Sequence, residues 1–587
     1  MRNPVFILGI SCYYHDSAAV ILRDGVIISA AQEERFSRKK QDDRFPRNAV
    51  EYCLKEAGIT KEELNYVIFY DKPFTKFERI LQIAVDAWPF GYRQFMQSMP
   101  LWLKEKFWIK QKIANELNYD GEILFSQHHL SHAAGAYFGS SFNEATVVTL
   151  DGVGEWETTG VGFGKGDDVK ITDTIHFPHS IGLLYSAITG YLGFKVNSAE
   201  YKVMGLAPYG DPKKYLDQVR KLIEVNEDGS YKLNMKYFAY TYGLRMTNRR
   251  LHKLFGGPPR KSESALEQHH KDIAAALQQV TEEVVLKIVR YAYKKHPSEN
   301  LCLSGGVSLN CVANGRILRE GPFKNIYIQP ASGDAGGALG AAQYLWHSIL
   351  KNSKTDDTRF KTPYLGPEFS DQEIEDCMRS AGDIKWQKFE DNELINHVSS
   401  LIDGENVIGW FQGRMEFGPR ALGNRSIIAD ARRKENWQKV NLKIKFRESF
   451  RPFAPTVLEE KCSEWFDLAV PTPYMLLVAD VKKEGVPAIT HVDNSARIQS
   501  VNRSQNQKYY DLIKAFESRT GCPVIINTSF NVRGEPIVCS PKDALHCFMH
   551  TEMDYLVLGN YVLNKQENMH IVDTSEREKY LEKFELD

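Results

Sequence analysis

The feature that most constrains the fold is a strand–turn–strand–turn–strand pattern that occurs twice. In the first copy the strands are expected at Val5–Ser11, Ala18–Leu22 and Val26–Ala30, the last after an Asp24-Gly25 turn. In the second they are expected at Thr146–Leu150, Thr159–Gly164 and Val169–Asp173, with turns at Asp151-Gly152 and Gly166-Asp167. The repetition predicts a duplicated α/β architecture with one ligand site between two like halves. Each copy opens a polar loop after its first strand, Cys12–Ser17 and Asp151–Glu157. In open α/β sheets, ligands collect at loops beyond strand ends.

The rest of the chain extends this plan. Apolar residues from Ile273 to Val289 follow a 3.6-residue period, which predicts a helix within Ser262–Lys295, with His269-His270 as its solvated start. A short buried strand then runs into Ser304-Gly305-Gly306, Asn310 opens the next helix, and a strand at Asn325–Gln329 leads to Gly333-Asp334. Residues 351–369 are polar, with Pro363 and Pro367, and read as a linker. They separate domains at 1–355 and 370–587. Strands of the second domain are expected at Val407–Phe411, Met475–Val478 and Val524–Ile526, and a charged, loosely docked helix from Ser575.

Composition narrows the setting. The net charge of −1 gives no global attraction to nucleic acid or membrane. Nine cysteines without pairing or metal-type spacing suggest free thiols in a reducing compartment. The start, Met1-Arg2-Asn3-Pro4-Val5-Phe6, enters a strand-like run without the features of a secretory leader, and no stretch of 18 apolar residues exists. A cytoplasmic protein is expected, with no membrane or nucleic-acid partner.

The chemistry of the first domain centres on His128-His129-Leu130-Ser131-His132. On a helix, His128 and His132 share one face within reach of one ion. Asp151 and Asp334 each follow a strand among glycines. Two histidines and two aspartates suit Fe(II), Mn(II) or Zn(II), being too nitrogen-rich for a calcium cage and lacking the thiolates of a structural zinc site. The glycines near these residues, and Ser304-Gly305-Gly306, would let a phosphate approach backbone N–H groups. His15, beside Asp16 on the first loop, is either a turn residue or a base for a substrate hydroxyl. Glu33-Glu34-Arg35-Phe36 is either a solvated helix start or a binding edge.

In the second domain, residues 414–451 hold seven arginines and four lysines against four acids. Interleaved with Gly, Pro and aromatic residues, they suit a folded anion pocket better than a loose tail, since guanidinium binds phosphate bidentately. Asn527-Thr528-Ser529-Phe530-Asn531-Val532-Arg533 adds donors just after a strand. A nucleic-acid groove would want basic surface beyond one segment, so small phosphorylated ligands fit the balance better.

With His128-His129-Leu130-Ser131-His132-Ala133, Ser304-Gly305-Gly306-Val307-Ser308-Leu309-Asn310, Gly333-Asp334-Ala335-Gly336-Gly337-Ala338 and Gly418-Pro419-Arg420-Ala421-Leu422-Gly423-Asn424-Arg425 in this order, the sequence resembles the NodU/CmcH family of O-carbamoyltransferases. Gly9-Ile10-Ser11, His15-Asp16-Ser17-Ala18-Ala19 and Phe450-Arg451-Pro452-Phe453-Ala454-Pro455 also match. The resemblance implies a duplicated actin/hexokinase-type (ribonuclease H-like) N-terminal domain, similar to the tRNA threonylcarbamoyl-transferase subunit, and a YrdC-like α/β C-terminal domain. It implies that carbamoyl phosphate and ATP, with Mg, give carbamoyl-adenylate in the second domain. The carbamoyl group would then pass to a hydroxyl of a small molecule, a sugar or secondary metabolite, at a metal site in the first, with Fe(II) the expected ion.

By the same resemblance the metal ligands fall on His128, His132, Asp151 and Asp334, with His129 a structural neighbour; for the base, His15 is the candidate by its own chemistry. Nucleotide contacts fall on Gly152, Ser304, Gly305, Gly306, Asn310 and Gly333. Contacts to carbamoyl phosphate and ATP fall on Arg414, Arg420, Lys443, Arg447, Arg451, Asn527, Ser529 and Arg533, with Lys443 and Lys445 unranked. A monomer or homodimer is expected. The alternatives are a sugar-kinase-like phosphotransferase, which needs neither the histidine pair nor the arginine-rich domain, and a tRNA carbamoylation factor, which needs a basic first domain.

Overall fold

The two copies of the strand pattern become two sheets of one topology. The computed structural model describes residues 3–104, 106–448 and 450–571, with Tyr580 and Phe584. In the first half, β1 (Phe6–Ser11), β2 (Ala18–Arg23), β3 (Val26–Gln32), β4 (Tyr66–Phe69) and β5 (Glu122–Phe125) stand in the order β3-β2-β1-β4-β5. In the second, β6 (Glu144–Leu150), β7 (Glu157–Lys165), β8 (Asp168–His176), β9 (Asn300–Ser304) and β10 (Asn325–Ile328) stand in the order β10-β9-β6-β7-β8. In each half strands one to three are antiparallel, and strands one, four and five are parallel. The central strands are covered on both faces, so β1 and β6 read as apolar runs rather than alternating ones. The expected strand positions hold within a few residues, although β7 and β8 run longer.

The fifth strand of each half leads into a helix at the equivalent place: α1 (His128–Tyr137) in the first, α2 (Asp334–Tyr344) in the second. Both are buried along nearly their whole length and built of Ala, Gly and Ser on the facing sides. A Cβ on Gly340 would lie 1.8 Å from the Ser131 carbonyl oxygen, and one on Gly135 would lie 3.3 Å from the Gly340 Cα. The two helices therefore cross with backbones in contact. The long helix falls at Gln268–Lys295, where His270 turns inward and its Nδ1 accepts from the Glu267 N–H at 3.0 Å, so the expected solvated start is a cap instead.

The second compact unit comprises Thr362–Asp587 together with Glu34–Lys40; the first comprises Met1–Glu33 and Gln41–Lys361. The boundary falls inside the expected linker, which is tied down at its start: the Lys354 amine donates to the carbonyls of Tyr137 and Phe142 at 2.7 and 2.6 Å. In the second unit a nine-stranded mixed sheet sets Arg425–Asp430 between Ile408–Phe411 and Val524–Ser529, antiparallel to both. The pairing of Ser426 with Ser529 brings the loops before Arg425 and after Ser529 out at one sheet edge. The helix expected from Ser575 lies outside the described residues, Tyr580 and Phe584 apart. All nine cysteines are free thiols. Among the described residues no helix is long and apolar enough to cross a membrane.

A branched side chain at the helix crossing has nowhere to go. Gly340→Val is expected to destabilise the first unit by about 1–3 kcal/mol, measured as a lowered urea midpoint. An unchanged midpoint would show that the crossing has slack.

Candidate active site

The duplication sets four groups around one centre. His128 and Asp334 open the equivalent helices α1 and α2, and Asp151 follows β6 as the loop of His15 and Asp16 follows β1. One donor atom from each of His128, His132, Asp151 and Asp334 lies within 4.8 Å of the others, and all four residues are buried. His128 Nε2 stands 3.1 Å from both Asp151 Oδ2 and His132 Nε2, and 3.7 Å from Asp334 Oδ1. Burial opposes charge on His128, yet the carboxylates of Asp334, Asp151 and Asp71 hold its pKa well above the ordinary value. Burial and the His128 charge push His132 down to about 3. Two buried carboxylates and two imidazole nitrogens facing one point make a donor set of the kind that suits a divalent transition ion.

Each of these side chains is fixed from behind. Asp151 Oδ1 accepts from the Gly306 N–H at 2.8 Å, Asp334 Oδ2 from the Tyr70 hydroxyl at 3.0 Å, and Ser304 Oγ lies 3.3 Å from His132 Nδ1. Behind His128, Asp71 Oδ2 lies 3.8 Å from Nδ1 and pairs with the Lys76 amine, while Glu155 accepts from the His128 N–H at 3.0 Å. His128 Nδ1 and Asp71 Oδ1 are buried, and neither makes a hydrogen bond among the described residues. Such a carboxylate sets the tautomer of a metal-binding histidine. Burial and the Asp71 charge raise Glu155 to about 7.

His129 points elsewhere. Its Nε2 lies 2.9 Å from the Glu157 carbonyl and its Nδ1 2.7 Å from Thr149 Oγ1, so both ring nitrogens are engaged. His15 stands at the open side: its side chain is 38 % exposed, and its Nε2 lies 3.7 Å from Asp334 Oδ2. Burial opposes its charge, but Asp334 and the bond to Asp16 raise its pKa to about 10.

The glycine-rich loops leave room beside the carboxylates. A Cβ on Gly152 would meet open space, and one on Gly333 would meet only Asp16 Oδ2, at 3.9 Å. Gly306 lies closer in, where a Cβ would stand 3.0 Å from Asp151 Oδ1. Gly305 is needed for the chain itself, with φ at +96° and a would-be Cβ 2.2 Å from the Leu150 carbonyl oxygen. Asn310 caps the helix Cys311–Glu320 by accepting from the Ala313 N–H and also bonds Gln278, so its amide is already used within the fold.

In the second unit the basic run divides. Arg425 is fully buried and donates to the carbonyls of Gln412, Gly413, Asn424 and Pro367, with its guanidinium 3.6 Å from the Phe411 ring centroid. Arg432 pairs with Asp430 and Asp403, and Arg433 with Glu405. Arg414 donates to the Leu365 carbonyl at 2.9 Å, Arg420 is half-buried, and Asn527 is buried with its amide on Gln499 and Thr456. Near the end of the run, Glu448 lies 3.4 Å from Arg533 and 3.8 Å from Arg451, Arg447 donates to Asn441 at 2.6 Å, and Lys439 pairs with Asp554. Lys445 is buried and donates to Ser529 Oγ at 3.1 Å and Asn531 Oδ1 at 2.6 Å. Burial, then Arg447, hold its pKa well below the usual lysine value. The side chain of Lys443 lies outside the described residues.

The sequence reading missed Asp71, Lys76, Tyr70 and Glu155. Asp71 had a usable signal: it stands just past the apolar run Tyr66–Phe69, as Asp151 stands past its own.

Two family models match this chain. Residues 6–343 match the carbamoyltransferase N-terminus model, and residues 399–565 match the carbamoyltransferase C-terminus model. An uncharacterized Synechocystis protein is 52% identical over 99% of this chain and 100% of its own length. Nodulation protein NolNO of Sinorhizobium fredii is 38% identical over 94% of this chain and 79% of its own. The 3'-hydroxymethylcephem-O-carbamoyltransferase of Streptomyces clavuligerus is 30% identical over 61% of this chain and 63% of its own. The fold and these matches define a transferase enzyme. The chain belongs to the carbamoyltransferase family.

Arg425 and Arg533 should separate by stability. Arg425→Leu strips the donor from several buried carbonyls and is expected to cost about 3 kcal/mol or more. Arg533→Leu, which loses the ion pair with Glu448, is expected to cost less unfolding free energy in urea than Arg425→Leu. Equal losses would put Arg533 in the scaffold.

Proposed function

We propose that this carbamoyltransferase works in two steps at two sites. In the second unit, the YrdC-like half of this reading, carbamoyl phosphate, ATP and water give carbamoyl-adenylate, phosphate and pyrophosphate. In the first unit, the actin/hexokinase-type half, the hydroxyl oxygen of a small-molecule acceptor bonds the carbamoyl carbon, the bond to the adenylate phosphate breaks, and AMP leaves. The observation that carries the reading is a buried imidazole–carboxylate cluster in one unit and a lysine–arginine cluster in the other, within a chain of this family. Anhydride chemistry needs anionic charge neutralised at both stages.

His128, His132, Asp151 and Asp334 would hold a divalent cation, Fe(II) in this reading, which when bound would neutralise the phosphate of the leaving group. The chain's own residues do the rest. Gly152 and Gly333 leave the approach open, and backbone N–H groups there suit a phosphate. His15 lies at the solvent side of Asp334 and is the group proposed to take the acceptor's proton, once a cation held by Asp334 offsets the carboxylate charge that keeps the imidazole protonated. Asp71, fixed by Lys76, orients His128. In the second unit, Arg447, Arg451 and Arg533 provide the positive field for carbamoyl phosphate and ATP, and Ser529, held by Lys445, adds a hydroxyl.

Incubation with ATP, Mg and carbamoyl phosphate is expected to release pyrophosphate only when carbamoyl phosphate is present. Release of ADP independent of carbamoyl phosphate would overturn the reading and favour a kinase. His132→Ala is expected to abolish transfer to an acceptor while sparing pyrophosphate release; equal loss of both would argue for a single site. Asp71→Asn is expected to weaken binding of Fe(II), Mn(II) or Zn(II) about 10–100-fold by calorimetry, with the fold intact by circular dichroism.

A further inference from the structure

The chain leaves the first unit after Glu33, gives Glu34–Lys40 to the second, and returns at Gln41. This short excursion lands on the two motif loops of the second unit. Arg35 donates to the Gly418 carbonyl at 2.9 Å, at the start of Gly418-Pro419-Arg420. Phe36 packs against Met415, Ala421, Ile537 and Cys539. Arg38 reaches the other loop with its whole fork: it donates to the carbonyls of Ile537 and Pro536 at 2.7 and 2.8 Å and to Glu535 Oε1 at 2.8 Å, with Asp543 Oδ1 at 3.5 Å.

Glu535 passes this anchor on. Its Oε2 accepts from the Val532 N–H at 2.9 Å, and its carbonyl accepts from the Asn531 amide at 2.6 Å. Asn531 receives Lys445, and the Arg533 N–H donates to the Lys445 carbonyl at 3.2 Å. The turn that presents Ser529, Asn531 and Arg533 is thus tied at its base to a guanidinium nearly 500 residues earlier in the chain. Glu535 itself is buried, so without a cation beside it the carboxylate would be left uncompensated.

We propose that Arg38 is a positioning residue of the second unit's anion site, and that Glu34–Lys40 is a working part of that site rather than a segment of the first domain. This rests on the two-step reading, which assigns adenylate formation to the second unit. Arg38 touches no reacting atom. It sets the distance between Arg533 and Lys445 by holding Glu535–Ile537, and a lysine cannot reproduce a fork spread over two carbonyls and a carboxylate.

The test is carbamoyl phosphate-dependent pyrophosphate release by full-length Arg38→Ala and Arg38→Lys. Both are expected to lose kcat/KM for carbamoyl phosphate, the alanine variant by about 10²-fold, while divalent-ion binding by calorimetry stays unchanged. Added guanidinium chloride is expected to restore part of the Arg38→Ala rate, and ethylammonium is not. Arg38→Lys retains the charge on Glu535 and so keeps the unit folded; wild-type kcat/KM in that variant overturns the proposal. So does a loss in Arg38→Ala that guanidinium leaves untouched. A wild-type protein that releases no pyrophosphate fails the two-step reading itself and takes this inference with it.

Discussion

The backbone contact between α1 and α2 is the constraint on which the first unit depends. These helices come from equivalent places in two like halves, and each begins with a residue of the buried cluster. Only small residues let them cross at this distance, because Gly340 lies against the Ser131 carbonyl and Gly135 against Gly340. Widening the crossing would draw Asp334 away from His128 and His132. The composition of α2, nearly all Ala and Gly after its aspartate, is therefore a requirement of the site as much as of the core.

The second unit shows a different economy of charge. An arginine-rich run looks uniform in sequence, yet its members divide by what they meet. Arg425 holds a loop together through buried carbonyls, Arg432 and Arg433 pair with acids, and Arg447 and Arg451 lie near Lys445. A buried guanidinium surrounded by carbonyl oxygens is costly to remove and does no ligand chemistry. A less deeply buried one in a cluster with more cations than carboxylates, as around Glu448, gains from an added anion. Position in the sheet decides which is which, because Arg425 enters a central strand whereas Arg447 and Arg451 lie on a loop.

Both units fix functional side chains from behind. Asp71 and Lys76 stand behind His128, and Arg38 stands behind Glu535 and the Asn531–Arg533 turn. These supports come from segments far apart in the chain. Asp71 lies 57 residues before His128, on a neighbouring strand end, and Arg38 belongs to a segment that leaves its own unit for the other. Spacing rules read one element at a time and are blind to such partners.

The sequence by itself determined the duplicated strand pattern, the pairing of His128 with His132 on one helix face, and the aspartates at glycine-flanked strand ends. Those are local properties: period, turn chemistry and the helical repeat act over a few residues, and the two sheets obey them. Only the tertiary structure decided which polar groups meet. It turned His129 away onto Thr149 and Glu157, spent Asn310 and Asn527 within the fold, and brought Asp71 to His128. It also carried Glu34–Lys40 into the second unit. Burial forces every polar group to find a partner, and which partner is near depends on strand order and helix crossing rather than on any neighbour along the chain.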